Sequence, residues 1–415
     1  MKVVLPHSAI ENHQSIAVSG SKSQTNRLLL LQQLYPNIAV ENRAVADDSR
    51  MMQRALESSD SVIDIHHAGT AMRFLTAYFA IQPHRTVVLT GSDRMQQRPI
   101  GILVEALKQL GADIEYVDKP GFPPLRIRGK KLQQNQVRLA ADVSSQYISA
   151  LLLIAPQIQG GLELSFDGRI TSRPYIEMTL ALLNDLGIPN SFEADRVRVH
   201  HKPQIADTTL VVESDWSSAS YFYALVALSP IGTTLTLSHY QEHSIQGDAA
   251  VVGYFRLFGV DTQFGDRQIT LRKARETQPH FEADFIDTPD LAQTVVVTCF
   301  GLGISSTITG LHTLKIKETD RLAALETELQ KLGAQVSTTP NSLTLQAGSS
   351  PISGQSIDTY QDHRMAMAFA PLALKTKLTI NEAEVVSKSF VGFWETLQSL
   401  GIKATILPLN DCSLK

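Results

Sequence analysis

Five times along this 415-residue chain an amphipathic run ends in a large apolar residue followed by glycine: Leu110-Gly111, Leu186-Gly187, Phe258-Gly259, Leu332-Gly333 and Leu400-Gly401. The steps between these glycines are 76, 72, 74 and 68 residues. Each glycine stands where the first residue beyond a helix needs a left-handed backbone, and an alternating stretch such as Ala112-Asp113-Ile114-Glu115-Tyr116-Val117 follows it as a strand. A second marker is a helix start rich in small or polar groups, at Ser21, Gly69, Ser144, Ser217, Asp290 and Asp362, with steps of 48, 75, 73, 73 and 72. Self-similarity at this period constrains the fold more than any single motif, because each repeat must be one supersecondary unit. The chain reads as six related α/β units, the first cut short. Units of about 70 residues are too long for a (β/α)8 barrel, and uneven spacing over so few units favours closure into two three-unit domains over an open solenoid.

The shortened unit invites a specific expectation. Asp47-Asp48-Ser49-Arg50 still begins a helix, but its Leu-Gly ending is replaced by Glu57-Ser58-Ser59-Asp60, and Val62-Ile63-Asp64-Ile65 leads directly to the next helix start. A central strand could not be lost without exposing backbone groups of its neighbours, so the deletion should remove the unit's terminal hairpin and leave one sheet a strand or two short.

Composition narrows the function class. With 37 Lys and Arg against 41 Asp and Glu, the net charge of −4 gives no blanket attraction for nucleic acid, so any basic site must be local. Cys299 and Cys412 are the only cysteines and lack metal spacing, which suggests neither a disulfide framework nor a zinc site. Met1 to His7 carries no signal-peptide pattern and no run approaches the length of a membrane span, so a cytoplasmic location is expected.

Ser19-Gly20-Ser21-Lys22-Ser23-Gln24-Thr25-Asn26-Arg27 packs capping hydroxyls and two cations into the start of a helix. It reads as an anion cradle, with the plainer reading of a capped surface helix left open. Further functional residue types gather at the recurring helix starts and at the loops after each unit's first strand: Gly69, Arg94, Arg98, Ser144, Ser145, Gln146, Ser172, Arg173, Tyr175, Asp290, Lys317, Glu318, Arg321, His363, Arg364 and Lys388. Lys317 and Arg321, four apart, read as one face of a helix start beside Glu318 and Asp320. Asp362-His363-Arg364 places cations in a first helical turn, which opposes the helix dipole unless an anion is bound. Eight cations (Lys22, Arg27, Arg94, Arg98, Arg173, Lys317, Arg364, Lys388) at equivalent ends of successive units in an acidic chain imply small polyanionic ligands. No Walker loop, dinucleotide fingerprint or paired metal carboxylates accompany them, so no cofactor and no metal are expected.

The motifs Gly20-Ser21-Lys22-Ser23 with Asn26-Arg27, Ala68-Gly69-Thr70-Ala71-Met72-Arg73, Arg98-Pro99-Ile100, Ser144-Ser145-Gln146, Lys317-Glu318-Thr319-Asp320-Arg321 and Asp362-His363-Arg364-Met365-Ala366-Met367 resemble the EPSP synthase family of enolpyruvyl transferases over nearly the whole chain. The resemblance implies an inside-out α/β fold of two domains, each of three βαβαββ units. One domain would comprise residues 1–19 and 215–415 and the other the inserted residues 20–214. It implies transfer of the enolpyruvyl group of phosphoenolpyruvate to the 5-hydroxyl of shikimate 3-phosphate by a monomer that needs no cofactor. By position, Lys22, Ser23, Arg27, Ser144, Ser145, Gln146, Ser172, Tyr175, Asp290, Thr313 and Lys317 would hold shikimate 3-phosphate. Lys22, Gly69, Arg94, Gln146, Arg321, Arg364 and Lys388 would hold phosphoenolpyruvate, and Gly69 would also face the inhibitor glyphosate. Asp290 would be the base and Glu318 the acid, with Lys22 and either His363 or Lys388 sharing proton handling. The chain departs from the family pattern at His67, where Asn is common, at Phe74, often Pro, and at Thr313, often Asn. Two other readings remain: a UDP-N-acetylglucosamine enolpyruvyl transferase of the same fold, and a non-catalytic anion-binding homologue.

Overall fold

The computed structural model describes residues 1–140, 144–168, 170–348 and 350–408; Cys412 lies outside them. Its main helices fall in pairs along the chain. They are α1 (Lys22–Leu34) and α2 (Asp47–Glu57), α3 (Gly69–Ala80) and α4 (Gly101–Gln109), α5 (Ser145–Ile154) and α6 (Arg173–Asp185), α7 (Trp216–Leu228) and α8 (Val251–Leu257), α9 (Ala292–Leu302) and α10 (Arg321–Lys331), α11 (His363–Phe369) and α12 (Phe393–Ser399). Five of the second helices stop at the sequence-marked glycines, where only a residue without Cβ takes the left-handed turn at no steric cost. At Gly111 (φ 98°) the amide donates to Lys108 O at 2.9 Å and that of Ala112 to Leu107 O at 2.9 Å, a Schellman stop. Helix α2 has no such stop, and Ser58 leaves it in extended conformation.

The first helix of each pair carries little polar surface beyond its start, apart from Gln32 and Gln33 in the last turn of α1, and most of it is buried. In α3 only Thr70, and in α7 only Ser217, escapes burial. A helix apolar all round must be enclosed, so the sheets lie outside these helices and not between them.

Among the described residues there are six sheets, and five share one plan. In the second unit Val62–Asp64 runs parallel to Thr86–Thr90 (Val62 opposite Val88), followed by the antiparallel strands Leu125–Arg128 and Asp113–Tyr116. The strand supplied from a neighbouring unit closes each set of three. Thr208–Val211 pairs with Ile38–Glu41 in the first unit, and Gln14–Ala17 with Thr234–Ser238 in the fourth. The last sheet takes its third strand from the chain's start, Lys2–Leu5, paired on one side with Leu378–Ile380 and on the other with Thr405–Leu407.

The first unit's sheet has two strands, so the hairpin is the part that is missing. The carbonyls of Ile38 and Val40 face its open edge, where a hairpin strand pairs in the other units. Gln32 Nε2 donates to Ile38 O at 2.7 Å, Arg43 Nε donates to Val40 O at 3.1 Å, and Arg43 Nη2 donates to Gln32 Oε1 at 3.0 Å. Two linked side chains thus take two of the carbonyls that the lost strand would have satisfied.

By contacts the chain forms two compact units, one of residues 20–212 and one of residues 1–19 with 213–415. The inserted unit is closed where Gly20 meets Asn42: a Cβ at Gly20 would lie 1.8 Å from Asn42 O.

Candidate functional site

In the unit of residues 20–212 the starts of four helices are tied together. Ser21 caps α1, its hydroxyl accepting from the Gln24 amide at 3.4 Å, and Ser144 caps α5 from the Gln146 amide at 3.4 Å. Arg27 is 3% exposed and spans three helices. Its Nε donates to Thr179 Oγ1 at 2.8 Å, Nη1 to Ser23 O at 2.8 Å, and Nη2 to Ser149 Oγ at 3.0 Å and Tyr175 O at 3.1 Å. The guanidinium lies 5.4 Å from the Phe74 ring centroid, and burial brings its pKa down to about 10. Gln146 Nε2 donates to Thr70 Oγ1 at 3.3 Å, which joins the start of α5 to that of α3. Lys22 Nζ sits 3.1 Å from Asp48 Oδ2 with its side chain only 16% exposed. Gly69 opens α3 directly against Arg98, and a Cβ there would come within 2.4 Å of Arg98 Nη1. The region is lined by hydroxyls, helix N-termini and cations, with Asp48 the carboxylate on Lys22.

The unit of residues 1–19 and 213–415 carries a different arrangement. Asp290, in the turn Pro289–Leu291 that enters α9, receives three cations: Arg321 Nη1 at 3.1 Å and Lys317 Nζ at 3.6 Å on Oδ1, and Arg364 Nη2 at 2.9 Å on Oδ2. Arg321 extends the network through Nε to Asp362 Oδ2 at 2.6 Å and Nη2 to Glu318 Oε2 at 2.9 Å. Lys388 Nζ donates to the other oxygen of Glu318 at 3.1 Å. Asp362 caps α11 by accepting the Arg364 amide at 2.9 Å. Asp248 hydrogen-bonds Ser217 Oγ, which also accepts from Arg364 Nη2 at 3.3 Å.

Buried charges need partners, and the shifts follow from how many each one has. Burial alone would raise the Asp290 carboxyl, but Arg364, Lys317 and Arg321 together hold it well below the usual carboxylate range. Asp248 goes the other way. Burial, reinforced by the charge of Asp290 and opposed by Arg364, pushes it up to about 7. Burial also lowers Lys317, against the pull of Asp290. Burial would lower Arg321 too, yet Asp362, Glu318 and Asp290 raise it above its ordinary value.

The residues expected from sequence thus fall into two groups. Asp290, Lys317, Glu318, Arg321, Arg364 and Lys388 meet in one contiguous network. His363 adjoins it, 2% exposed, with Nδ1 3.6 Å from Asp362 Oδ1. Lys22, Ser23, Arg27, Ser144, Ser145, Gln146, Ser172, Tyr175 and Gly69 lie at the helix starts of the other unit, and Arg94 lies in the short turn Asp93–Gln96 of that unit. Three expectations are corrected. Lys317 and Arg321 do not share a helix face, because the chain is extended at Lys317 (ψ −151°) and α10 begins at Arg321 behind the Asp320 cap; they converge on Asp290 from two backbone segments instead. Ser172 and Tyr175 are not on a loop, since Ser172 is the left-handed cap (φ 52°) of α6 and Tyr175 lies in its first turn, where its carbonyl receives Arg27. Arg173, counted among the anion-facing cations, is about half exposed, pairs with Glu177 at 2.7 Å and covers the Phe192 ring. Thr313 Oγ1 is buried, with no hydrogen-bond partner among the described residues, in the turn leading to Lys317. Asp48, Asp248 and the acceptor role of Asp362 were missed: Asp48 and Asp362 look like ordinary helix starters in sequence, and Asp248 has no local signature. Among the described residues no three His, Cys, Asp or Glu side chains could jointly hold a metal ion, and no helix is long and apolar enough to cross a membrane. Cys299 is buried, and burial pushes its thiol up.

A family model described as EPSP synthase (3-phosphoshikimate 1-carboxyvinyltransferase) matches residues 30–397. The chain belongs to the EPSP synthase family. A 3-phosphoshikimate 1-carboxyvinyltransferase of Bacteroides fragilis (strain ATCC 25285) is 46% identical over 393 residues, covering 93% of this chain and 95% of that protein. One from Sulfurovum sp. (strain NBC37-1) is 34% identical over 416 residues, with 93% and 96% covered. Among solved structures, EPSP synthase from Acinetobacter baumannii superposes with a TM-score of 0.77 at 21% identity over 97% of this chain and 99% of that one. The enolpyruvyl transferase NikO from Streptomyces tendae gives a TM-score of 0.74 at 12% identity, with 98% and 99% covered, which speaks for the shared fold alone.

Proposed function

We propose that this EPSP synthase family member transfers the enolpyruvyl group of phosphoenolpyruvate to the 5-hydroxyl of shikimate 3-phosphate and releases phosphate. The observation that carries the reading is the Asp290 carboxylate held by three cations at 2.9 to 3.6 Å. The chemistry needs a group of this kind. A base must take the hydroxyl proton as its oxygen bonds to the central carbon of phosphoenolpyruvate, while an acid adds a proton to the methylene carbon. Collapse of the resulting tetrahedral ketal expels phosphate, and loss of a proton from the new methyl group restores the double bond. Asp290 is assigned as the base. Its cations keep it ionised, and Arg321 and Arg364, with Lys388 nearby on Glu318, suit the carboxylate and phosphate of phosphoenolpyruvate. The Lys388–Glu318 pair is assigned to the methylene proton. Lys22 and the hydroxyl-lined helix starts are assigned to shikimate 3-phosphate, with Lys22 shared between the substrates and His363 supporting proton handling.

Phosphate release measured with both substrates, with each alone, and with UDP-N-acetylglucosamine in place of shikimate 3-phosphate tests the assignment. Release only with the pair shikimate 3-phosphate and phosphoenolpyruvate is expected. Release with UDP-N-acetylglucosamine would transfer the chain to the other enolpyruvyl transfer, and release with neither would make it a non-catalytic homologue.

A further inference from the structure

Helix α10 holds the segment Asp358–Asp362 at two points. Arg321 and Glu328 stand seven residues apart, two helical turns, and therefore project from one face of α10 about 10 Å from each other along its axis. Arg321 takes Asp362 at 2.6 Å, as described above. Glu328 is fully buried, and its hydrogen bonds serve the other end of the same segment. Its Oε1 accepts from Tyr360 Oη at 2.6 Å and Lys331 Nζ at 2.8 Å, and its Oε2 accepts from the Asp358 amide at 3.2 Å. Lys331 closes the ring through Asp358 Oδ2 at 2.8 Å, and Asn381 Nδ2 donates to Asp358 Oδ1 at 2.7 Å.

The segment needs such fixing. Tyr360 (φ 53°) and Gln361 (φ 56°) are consecutive side-chain-bearing residues in the left-handed region, which persists only where the surroundings over-determine it. That pair turns the chain so that the Asp362 amide meets Thr359 O at 2.9 Å and the Asp362 carboxylate caps α11. Arg364 then follows in the first turn of α11, where its guanidinium reaches Asp290. The burial of a carboxylate is costly unless every lone pair is used, and here the lone pairs are used to hold a strained backbone next to the reacting groups.

We propose that Glu328 is a positioning residue for enolpyruvyl transfer, acting through Tyr360 and Asp358 to hold the left-handed turn that presents Asp362 to Arg321 and Arg364 to Asp290. The proposal rests on the functional reading above. Because Arg321 and Arg364 are the phosphoenolpyruvate-assigned cations touched by the turn, its loosening affects one substrate more than the other.

The experiment compares Glu328→Ala, Glu328→Gln and Tyr360→Phe with the parent protein in steady-state kinetics and in amide hydrogen exchange. Glu328→Ala should raise KM for phosphoenolpyruvate about tenfold and KM for shikimate 3-phosphate less than threefold, with amides 360–366 exchanging faster while those of α9 are unchanged. Glu328→Gln keeps an acceptor for Tyr360 and should recover most of the KM, and Tyr360→Phe should fall between the two. Equal rises in both KM values, or unchanged exchange at 360–366, would overturn the proposal by reducing Glu328 to a stability role. If Glu328→Ala does not fold, the other two variants decide by the same criteria. If the parent protein lacks transferase activity, the functional reading fails while the exchange comparison still shows whether Glu328 holds the turn.

Discussion

The two units handle charge in opposite ways. In residues 20–212 the candidate residues are hydroxyls, helix N-termini and cations, and Arg27 braces three helices by donating to Thr179, Ser149, Ser23 and Tyr175. In residues 213–408 four cations interlock with Asp290, Glu318 and Asp362. A surface of donors with few carboxylates suits the holding of a phosphate dianion, since every group contributes in one direction. A network of alternating charges costs more to bury, and what it offers in return is carboxylates fixed in a defined protonation state beside cations, which proton transfer requires. On the proposed function the first arrangement holds shikimate 3-phosphate and the second carries the proton transfers beside phosphoenolpyruvate, and substitutions can test that division.

The largest expected effect is at Asp290. Asp290→Asn removes the assigned base and leaves Arg321, Arg364 and Lys317 without their common carboxylate. It should lower kcat by about 10²- to 10⁴-fold with KM for shikimate 3-phosphate changed less than about threefold. A fall in shikimate 3-phosphate affinity with normal kcat would put Asp290 on the holding side and break the comparison.

Lys22 is the corresponding test of the other unit. Lys22→Ala should raise KM for shikimate 3-phosphate by about 10- to 100-fold, a charge-assisted contact of about 1.5–3 kcal/mol. Because Lys22 and Asp48 are paired at 3.1 Å, the double variant with Asp48→Ala should cost less than the sum of the single changes. Strict additivity measured by a double-mutant cycle would show that the pair is not coupled.

A smaller change is expected from Gly69→Ala. The new methyl would lie 2.4 Å from Arg98 Nη1, the far end of a flexible side chain, so Arg98 should move and α3 should stay folded. KM for phosphoenolpyruvate should rise by up to about tenfold, with kcat and thermal stability near those of the parent. Loss of stability instead would mean that Arg98, 7% exposed, is fixed as a brace in the way Arg27 is.

Much of this architecture is legible from sequence because its signals are local. A helix stop such as Leu332-Gly333 is written in two residues, and the loss of a hairpin in the first unit follows from the missing stop after α2 and from the 48-residue step. What was not legible is non-local. Nothing in Lys2–Leu5 says that it will pair with both Leu378–Ile380 and Thr405–Leu407. Nothing in Gln32 or Arg43 announces that they will occupy the carbonyls left by the absent hairpin. The site shows the same limit. Cations at helix starts stand out because they oppose the helix dipole, whereas acids there are favourable and read as plain caps, which hides the pairing of Asp48 with Lys22 and of Asp362 with Arg321. The four-residue spacing of Lys317 and Arg321 suggests a shared helical face, but Asp320 caps a helix that begins only at Arg321, which leaves Lys317 outside it.

The smallest effect, and the one specific to the unit with alternating charges, concerns pH. Burial raises Asp248 to about 7 from 3.8, so the folded state binds its proton more tightly than the unfolded state does. Its contribution therefore falls as pH rises from about 4 to about 7 and is constant above that. Asp290, held well below 3.8, gives stability that is present above that value and is lost as pH falls through its native pKa. Together they place the optimum of this pair on the acid side of neutrality. The groups facing Asp248 are Asp290, Arg364, Asp215 and Ser217, so its raised state depends on the neighbouring carboxylate as well as on burial. Asp248→Asn, which keeps a hydrogen-bonding group for Ser217, should remove the decline between pH 4 and 7 and melt a few degrees above the parent at pH 8, while matching it near pH 4. Parallel melting profiles for the two proteins across that range would show that Asp248 is ionised throughout and would remove it from the pH dependence of the network.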